Sequence, residues 1–346
     1  MPSSIHAVAR RPEFPELPLL GPNQLPLLIT GIAGVAGSHA FGTFRRRYGD
    51  QVWGQRRKDN WRLDGDGVLA FDLEDGAALD DAFRQYGFKS VLDAGGTCAL
   101  KNCEADPAMA RRVNVETTEH VIRLVRQYGA RLVRLSIDLV FGGTRGGSHA
   151  EDDVPDPVTI YGQTMHEAER LIAAELSDAL ILRISLPMGP SFNGHAGAID
   201  WIQNRFRHGR PATLYYDEVR TPTYCECLDP VLERALASTL SGVFHAGGSR
   251  PLSLYEIAQI VNRVGGYDPD LLHGCYRLDA GPFPPRAGNV AMESRRLYEA
   301  LGVPPCQPWP ASQQWLPTTR DWHYERAGEA GSEALLQAEL YRRPPS

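Results

Sequence analysis

The sequence predicts an α/β protein built on a doubly wound parallel sheet, with a smaller α/β substrate domain toward the C-terminus. Three observations carry that prediction. Short apolar runs alternate with helical stretches of ten or more residues, which implies parallel strands joined by right-handed crossovers. A glycine-rich turn, Gly31-Ile32-Ala33-Gly34-Val35-Ala36-Gly37, lies between the first strand and the first helix. Past about residue 186 the alternation fails, glycine and proline become frequent, and the segments shorten.

The elements follow in order. Residues 1–24 form a proline-rich arm without periodicity. Leu25 to Thr30 is a short apolar run that reads as a buried strand, and Ala36 to Tyr48 has helical character. Gln51 to Gly54 and Val68 to Phe71 read as the second and third strands, and Ala77 to Tyr86 as a helix. Ser90 to Ala94 is the fourth strand, followed by a long helix from Pro107 to Tyr128. Arg131 to Ser136 is the fifth strand, Tyr161 to Leu176 a helix, and Ala179 to Ile184 the sixth strand. A dinucleotide-binding domain is therefore expected over 25–186. A substrate domain over 187–310 would lend segments back to the sheet, and 311–346 form a C-terminal extension. In that extension Ser332 to Arg343 is amphipathic, with Leu335, Leu336 and Leu340 on one face of a docking helix.

Composition narrows the function. The 346 residues carry 36 Lys+Arg against 42 Asp+Glu, a net charge of −6, which argues against a nucleic-acid partner. Only three of the basic residues are lysines: Lys58, Lys89 and Lys101. No apolar run approaches the ~20 residues that span a bilayer, and prolines interrupt any signal-peptide core. Six cysteines without framework spacing fit a reduced cytoplasmic protein, and Cys225-Glu226-Cys227 lacks the second pair that a metal site needs.

Glycines after a first strand let the backbone approach a pyrophosphate, whose charge the following helix N-terminus meets. Residues 31–37 are thus the expected cofactor cradle of a Rossmann fold. An acid at the end of the second strand would bind a ribose 2′-hydroxyl, and arginine there accommodates a 2′-phosphate. Arg56 and Arg57 stand there, with no acid before Asp59. NADP(H) is accordingly favoured over NAD(H), against the alternative of a solvated basic turn. Asp72 and Leu73, after the third strand, are expected near the adenine, and Ala94-Gly95-Gly96 where the backbone passes the cofactor.

These features, in this order, resemble the extended short-chain dehydrogenase/reductases, and among them the dTDP-4-dehydrorhamnose reductase group. That group includes the regulatory beta subunit of methionine adenosyltransferase. The stretches carrying the resemblance are GIAGVAG (31–37), FDLED (71–75), RRVNVETTEHV (111–121), RLSIDLVFGG (134–143), PVTIYGQTMHEAERLI (157–172), ILRISLPMGP (181–190) and DEVRTPTYCECL (217–228). The resemblance implies reduction of a sugar ketone by a Tyr-x-x-x-Lys pair and a Ser or Thr on the preceding strand. The tyrosine donates a proton, and the lysine lowers its pKa and bonds the nicotinamide ribose. It also implies a polar small-molecule substrate of nucleotide-sugar type and makes a homodimer an expectation.

Two of those positions depart from the pattern. Tyr161 is present, but the residue four on is Met165, whose thioether carries no charge. Ile137 falls on the hydroxyl position of the strand, leaving Ser136 one residue early as the nearest hydroxyl. Tyr161, Ser136 and Met165 are therefore the catalytic candidates; His166, about 100° round the helix from Met165, is expected to point elsewhere, and Lys101 after the fourth-strand loop is a remote substitute for the missing cation. Thr97, Asp138, His195, Arg220 and Arg286 are the candidate substrate contacts, with Arg220 able to fork onto a phosphate or carboxylate. Asn114 matches an asparagine of the family's central helix and is expected to be structural. Two classes of function stay open: a reductase or non-redox isomerase or lyase working through Tyr161, and a noncatalytic cofactor-binding regulatory subunit.

Overall fold

The structure, a computed structural model, describes residues 20–193, 197–325 and 331–342. A seven-stranded sheet runs through its centre. Six strands were expected: β1 (Leu27–Thr30), β2 (Val52–Arg56), β3 (Val68–Ala70), β4 (Ser90–Asp93), β5 (Arg131–Ile137) and β6 (Leu180–Ile184). The seventh, β7 (Gly242–Ala246), is a segment returned from the C-terminal half, pairing β6 from Gly242 opposite Leu180 to Ala246 opposite Ile184. The spatial order is β7-β6-β5-β4-β1-β2-β3, and every pairing is parallel. Strand order therefore reverses between β1 and β4, with later strands added on the opposite side of β1, and such switch points are where open α/β sheets bind ligands.

Each face of the sheet is sealed by helices because β1, β4 and β6 are buried along their whole length. On one face lie α1 (Val35–Tyr48) and the helix Cys225–Ala237, with Ala40, Phe44, Leu228 and Val231 in the core. On the other lie α2 (Gly76–Tyr86) and α3 (Thr117–Tyr128), packing Leu79, Phe83, Val121 and Leu124. α4 (Ile160–Glu175) follows β5 and contributes Ile172 to that second core. Helix ends are set locally. The Asp75 carboxylate accepts from the Ala78 N–H at 3.0 Å, and Gly87 ends α2 in the left-handed conformation.

Between Pro107 and Tyr128 the expected single helix holds, with one turn widened to π geometry at Arg112–Glu116. That turn carries Asn114, which is fully buried. Such bulges concentrate at functional sites because they re-aim a side chain.

The C-terminal half is not a separate globule. Among the described residues it forms three two-stranded pairs: Pro187–Met188 with Thr223–Tyr224, Val219–Arg220 with Leu252–Ser253, and Ala212–Tyr215 with Leu272–Cys275. The final described stretch docks as the amphipathic pattern requires. Leu336 and Leu340 are buried, the Trp309 indole donates to the Leu340 carbonyl, and Trp315 and Trp322 join the main core. Leu335 is only partly covered. The proline-rich arm up to residue 19 lies outside the described residues.

Under α4, a buried polar clamp locks helix to strand. Glu169 receives the Ser136 hydroxyl at 2.5 Å and two guanidinium bonds from Arg183 at 2.9 and 2.8 Å. Burial alone would raise this carboxyl, but hydrogen bonds from His166, Arg183 and Ser136 and the Arg183 charge hold it down at about 2. A carboxylate with a depressed folded pKa stabilises fully above its unfolded value. That stability is lost as pH falls through the folded one. Glu169→Gln is therefore expected to remove the part of the acid-unfolding curve between about pH 4.5 and 2, measured by circular dichroism. An unchanged acid limb would contradict the clamp.

Candidate active site

The glycine turn is dictated by sterics. Gly31 has φ +64°, and a Cβ there would lie 2.4 Å from the Ala94 carbonyl oxygen. Its N–H donates to the Gln55 side chain at 3.1 Å, fastening β1 to β2. Gly34 is the N-cap of α1, with no side chain capping the helix, and it is exposed. The nearest atom to a Cβ there would be 3.5 Å away. An uncapped helix N-terminus behind an open glycine is the cradle a dinucleotide pyrophosphate requires. Ile32, Val35, Ala36 and Gly37 are buried beneath it, and Ala33 is half-exposed.

At the edge of β2 the two arginines divide. Arg56 stands on the strand, not in the turn, and is buried. Its guanidinium folds back on the carbonyls of Arg57 and Lys58 at 3.1 and 3.3 Å, leaving Nε without a partner. Arg57 is exposed and ion-paired with Glu74 at 2.7 Å. The Asp72 carboxylate accepts the Lys58 N–H at 3.2 Å, and Leu73 is buried beside Gly95.

The floor of the crevice is Asp93. Its carboxylate accepts the Thr30 hydroxyl at 2.5 Å, the Gly95 N–H at 3.1 Å and an Arg134 nitrogen at 2.5 Å. Beyond it Gly96 is exposed and Thr97 half-exposed. The Thr97 N–H donates to Asn114 Oδ1 at 2.7 Å, and the Asn114 amide donates to Thr164 on α4 at 2.9 Å. The π turn thus aims Asn114 between the Gly96–Thr97 loop and α4, a structural role.

Tyr161 sits in the first turn of α4. The Thr159 hydroxyl caps that turn by accepting the Gly162 N–H at 3.0 Å, and Glu104 accepts the Ile160 N–H at 2.7 Å. Gly162 permits the approach, since a Cβ there would lie 2.1 Å from the Leu139 carbonyl oxygen. Burial pushes the Tyr161 phenol well above its ordinary range. Nearby Cys98 and Asp138 push the same way, and Arg220 and Arg134 oppose them.

The other catalytic candidates fall elsewhere. Ser136 is turned to Glu169 under the helix, because alternate strand residues face opposite sides. Ile137 is only half-buried and brings no hydroxyl. Met165 is buried, and its sulfur accepts from Arg134 at 3.8 Å. Neither residue supplies the cation: His166 leans on Glu169 at 3.3 Å, and Lys101 is exposed on the helix Leu100–Ala105. The guanidinium beside Met165 belongs to Arg134, two residues before Ser136. A buried arginine in a strand was the signal that sequence reasoning passed over.

The substrate contacts also need correction. Asp138 and Arg220 meet each other. Both are buried, Arg220 Nε donates to Asp138 at 2.6 Å and Nη2 donates to its second oxygen. The Ser185 hydroxyl adds a third bond to Asp138 at 2.5 Å. A guanidinium spent on a buried carboxylate is not free to fork onto substrate. Arg286 is half-buried over the Tyr215 ring at 4.0 Å and 3.4 Å from Glu218. His195 lies outside the described residues.

Comparison with known proteins bears on the family and the fold. The model of the RmlD substrate binding domain matches residues 25–317. The chain belongs to that family. Among RmlD relatives, the dTDP-4-dehydrorhamnose reductase of Streptomyces griseus is 27% identical over 251 residues, covering 70% of this chain and 80% of that protein. The methionine adenosyltransferase 2 subunit beta of Xenopus laevis is 23% identical over 244 residues, covering 67% and 69%. Two solved structures share the fold. The dTDP-4-dehydrorhamnose reductase of Bacillus anthracis in complex with NADP has a TM-score of 0.67, at 17% identity over 82% of this chain and 95% of that one. The UDP-glucose 4-epimerase of Thermus thermophilus in complex with NAD has a TM-score of 0.71, at 23% identity over 86% and 99%. No helix among the described residues is long and apolar enough to cross a membrane.

The two glycines of the cradle separate strain from space. Gly31→Ala is expected to cost about 1–3 kcal/mol through its left-handed φ and its clash with Ala94. Gly34→Ala, in open space, is expected to leave stability within about 0.5 kcal/mol. Urea melts compare them, and equal losses would sink the assignment of Gly34 to the ligand-facing side.

Proposed function

We propose that this protein is an NADP(H)-binding reductase of a polar carbonyl substrate of nucleotide-sugar type, with Tyr161 as proton donor. The observation that carries the reading is a conjunction of three features. An uncapped glycine turn follows β1, Gly96 is exposed past β4, and the buried Tyr161 phenol sits on the helix that Asn114 ties to Thr97. A reduced nicotinamide held at the 31–37 turn would supply a hydride for the substrate carbonyl. Tyr161 gives its phenolic proton to the carbonyl oxygen, completing the alcohol, and regains a proton from solvent. Burial keeps this phenol protonated at neutral pH, as a donor must be, but also makes it a weaker acid than an ordinary tyrosine, so proton donation is expected to be slow.

The 2′-phosphate preference rests on Arg57, with Arg56 shaping the turn from below. Glu74 competes for that guanidinium at 2.7 Å. Arg57→Ala is expected to weaken NADPH binding by about tenfold and leave NADH unchanged. Glu74→Gln should move the NADPH-to-NADH preference the other way. Fluorescence titration of both cofactors measures it, and parallel changes in NADPH and NADH would refute the phosphate contact.

A second reading is favoured by Ile137 and Met165, which leave Tyr161 without a neighbouring hydroxyl or lysine: a cofactor-binding regulatory subunit. Turnover decides between them. NADPH oxidation with dTDP-4-dehydrorhamnose-type ketones should be detectable, and Tyr161→Phe should lower it by at least ~10²-fold. Tight NADPH binding with no turnover on such ketones, together with a stable protein partner, would favour the regulatory reading.

A further inference from the structure

Helix α4 carries no cation four residues after Tyr161, yet a cation stands at that place. The Arg134 guanidinium enters from β5, with one Nη 2.5 Å from Asp93 Oδ2 and the other 3.8 Å from Met165 Sδ. It is about 1% exposed, and its Nε has no partner. A Cβ on Gly96, the exposed residue of the crevice floor, would lie 3.9 Å from the same Nη2. The charge therefore lies one layer beneath the surface a dinucleotide would cover.

We infer that Arg134 is the cation of this cleft: its guanidinium, delivered by the strand, takes the charge position that the tyrosine helix leaves to Met165. This rests on the reading of the crevice as a nicotinamide dinucleotide site. The Asp93 carboxylate is bonded on its β1 side by Thr30, so the ion pair presents its positive end toward Met165 and α4. Methionine is then the fitting partner. A soft, polarisable sulfur accepts a weak bond from the guanidinium, whereas a lysine ammonium there would face a like charge with little water to screen it. Arginine is suited to the buried place because it keeps its charge and offers separate donors to Asp93 and Met165. Arg134 acts through the floor of the site and is a positioning residue.

The test is a charge swap in the full-length protein, read by melting temperature and by cofactor binding. Met165→Lys alone sets two cations together, and Arg134→Met alone strands the Asp93 carboxylate. Each is expected to lower the melting temperature by about 3 °C or more. The double variant Arg134→Met/Met165→Lys lets the helix lysine meet Asp93, and most of the loss should be regained. For binding, the comparison is made with Asp93 neutralised. Asp93→Asn/Arg134→Met is expected to bind NADPH about tenfold more weakly than Asp93→Asn, while the swap variant stays within about threefold of the native protein. Additive melting losses overturn the inference, and so does equal NADPH affinity with and without Arg134. If Arg134→Met fails to fold, the Met165 series decides. Met165→Gln keeps a neutral acceptor and the native melt while Met165→Lys loses it, and identical melts for the two overturn the inference. Failure of the native protein to bind any nicotinamide dinucleotide refutes the proposed function, and the swap still reports on the cation.

Discussion

The cleft of this protein depends on one buried carboxylate. Asp93 ends β4 at the point where the sheet changes direction, and it joins three strands: Thr30 of β1, its own Gly95 turn, and Arg134 of β5. A carboxylate about 1% exposed is tolerable only when its oxygens are satisfied and its charge is paired. Those conditions fix the Ala94-Gly95-Gly96 backbone, which in turn forbids a side chain at Gly31. The Gly31 turn is thus shaped from behind, by electrostatics in the sheet, as much as by its own glycines.

Strand β5 organises the chemistry on the other side. Arg134 and Ser136 point at α4, where Met165 and Glu169 receive them. Past the strand end, Asp138 is held by Arg220 and Ser185. Acids and bases alternate along this seam in pairs, so the charged groups near Tyr161 are nearly all committed to one another. What remains uncommitted is the phenol itself, in the apolar cluster with Met165, Phe141 and Met292. Burial raises the tyrosine pKa, and the charges of Arg220 and Arg134 oppose that shift without overcoming it.

Much of the fold was legible because period and length alone separate short apolar strands from ten-residue helices. Six of the seven strands and the glycine cradle are local patterns. β7 was not assignable, since a five-residue run among glycines and prolines has no direction until β6 offers it an edge. The site was legible only where it is local. Tyr161 and Met165 lie on one turn. Arg134 reads as one more arginine until the fold brings it to Asp93, 41 residues away, and Arg220 reads as a free fork until it meets Asp138 across 82 residues. Partners distant in sequence decide whether a charged side chain is available to ligand or consumed by structure.

The scarcity of lysine takes on a different sense in that light. Lysine and arginine differ most where water is absent. A buried ammonium readily loses its proton and can then serve acid–base chemistry, whereas a buried guanidinium stays charged. Moving the cation from the helix to the strand therefore exchanges a group that could share protons with the tyrosine for a fixed charge that cannot. Arg134 can orient and stabilise, through Gly96 above it and Met165 beside it, but it takes no part in moving the phenolic proton. A reductase working in this cleft would therefore rely on Tyr161 and solvent for its proton, with no lysine beside the phenol to strengthen it as an acid.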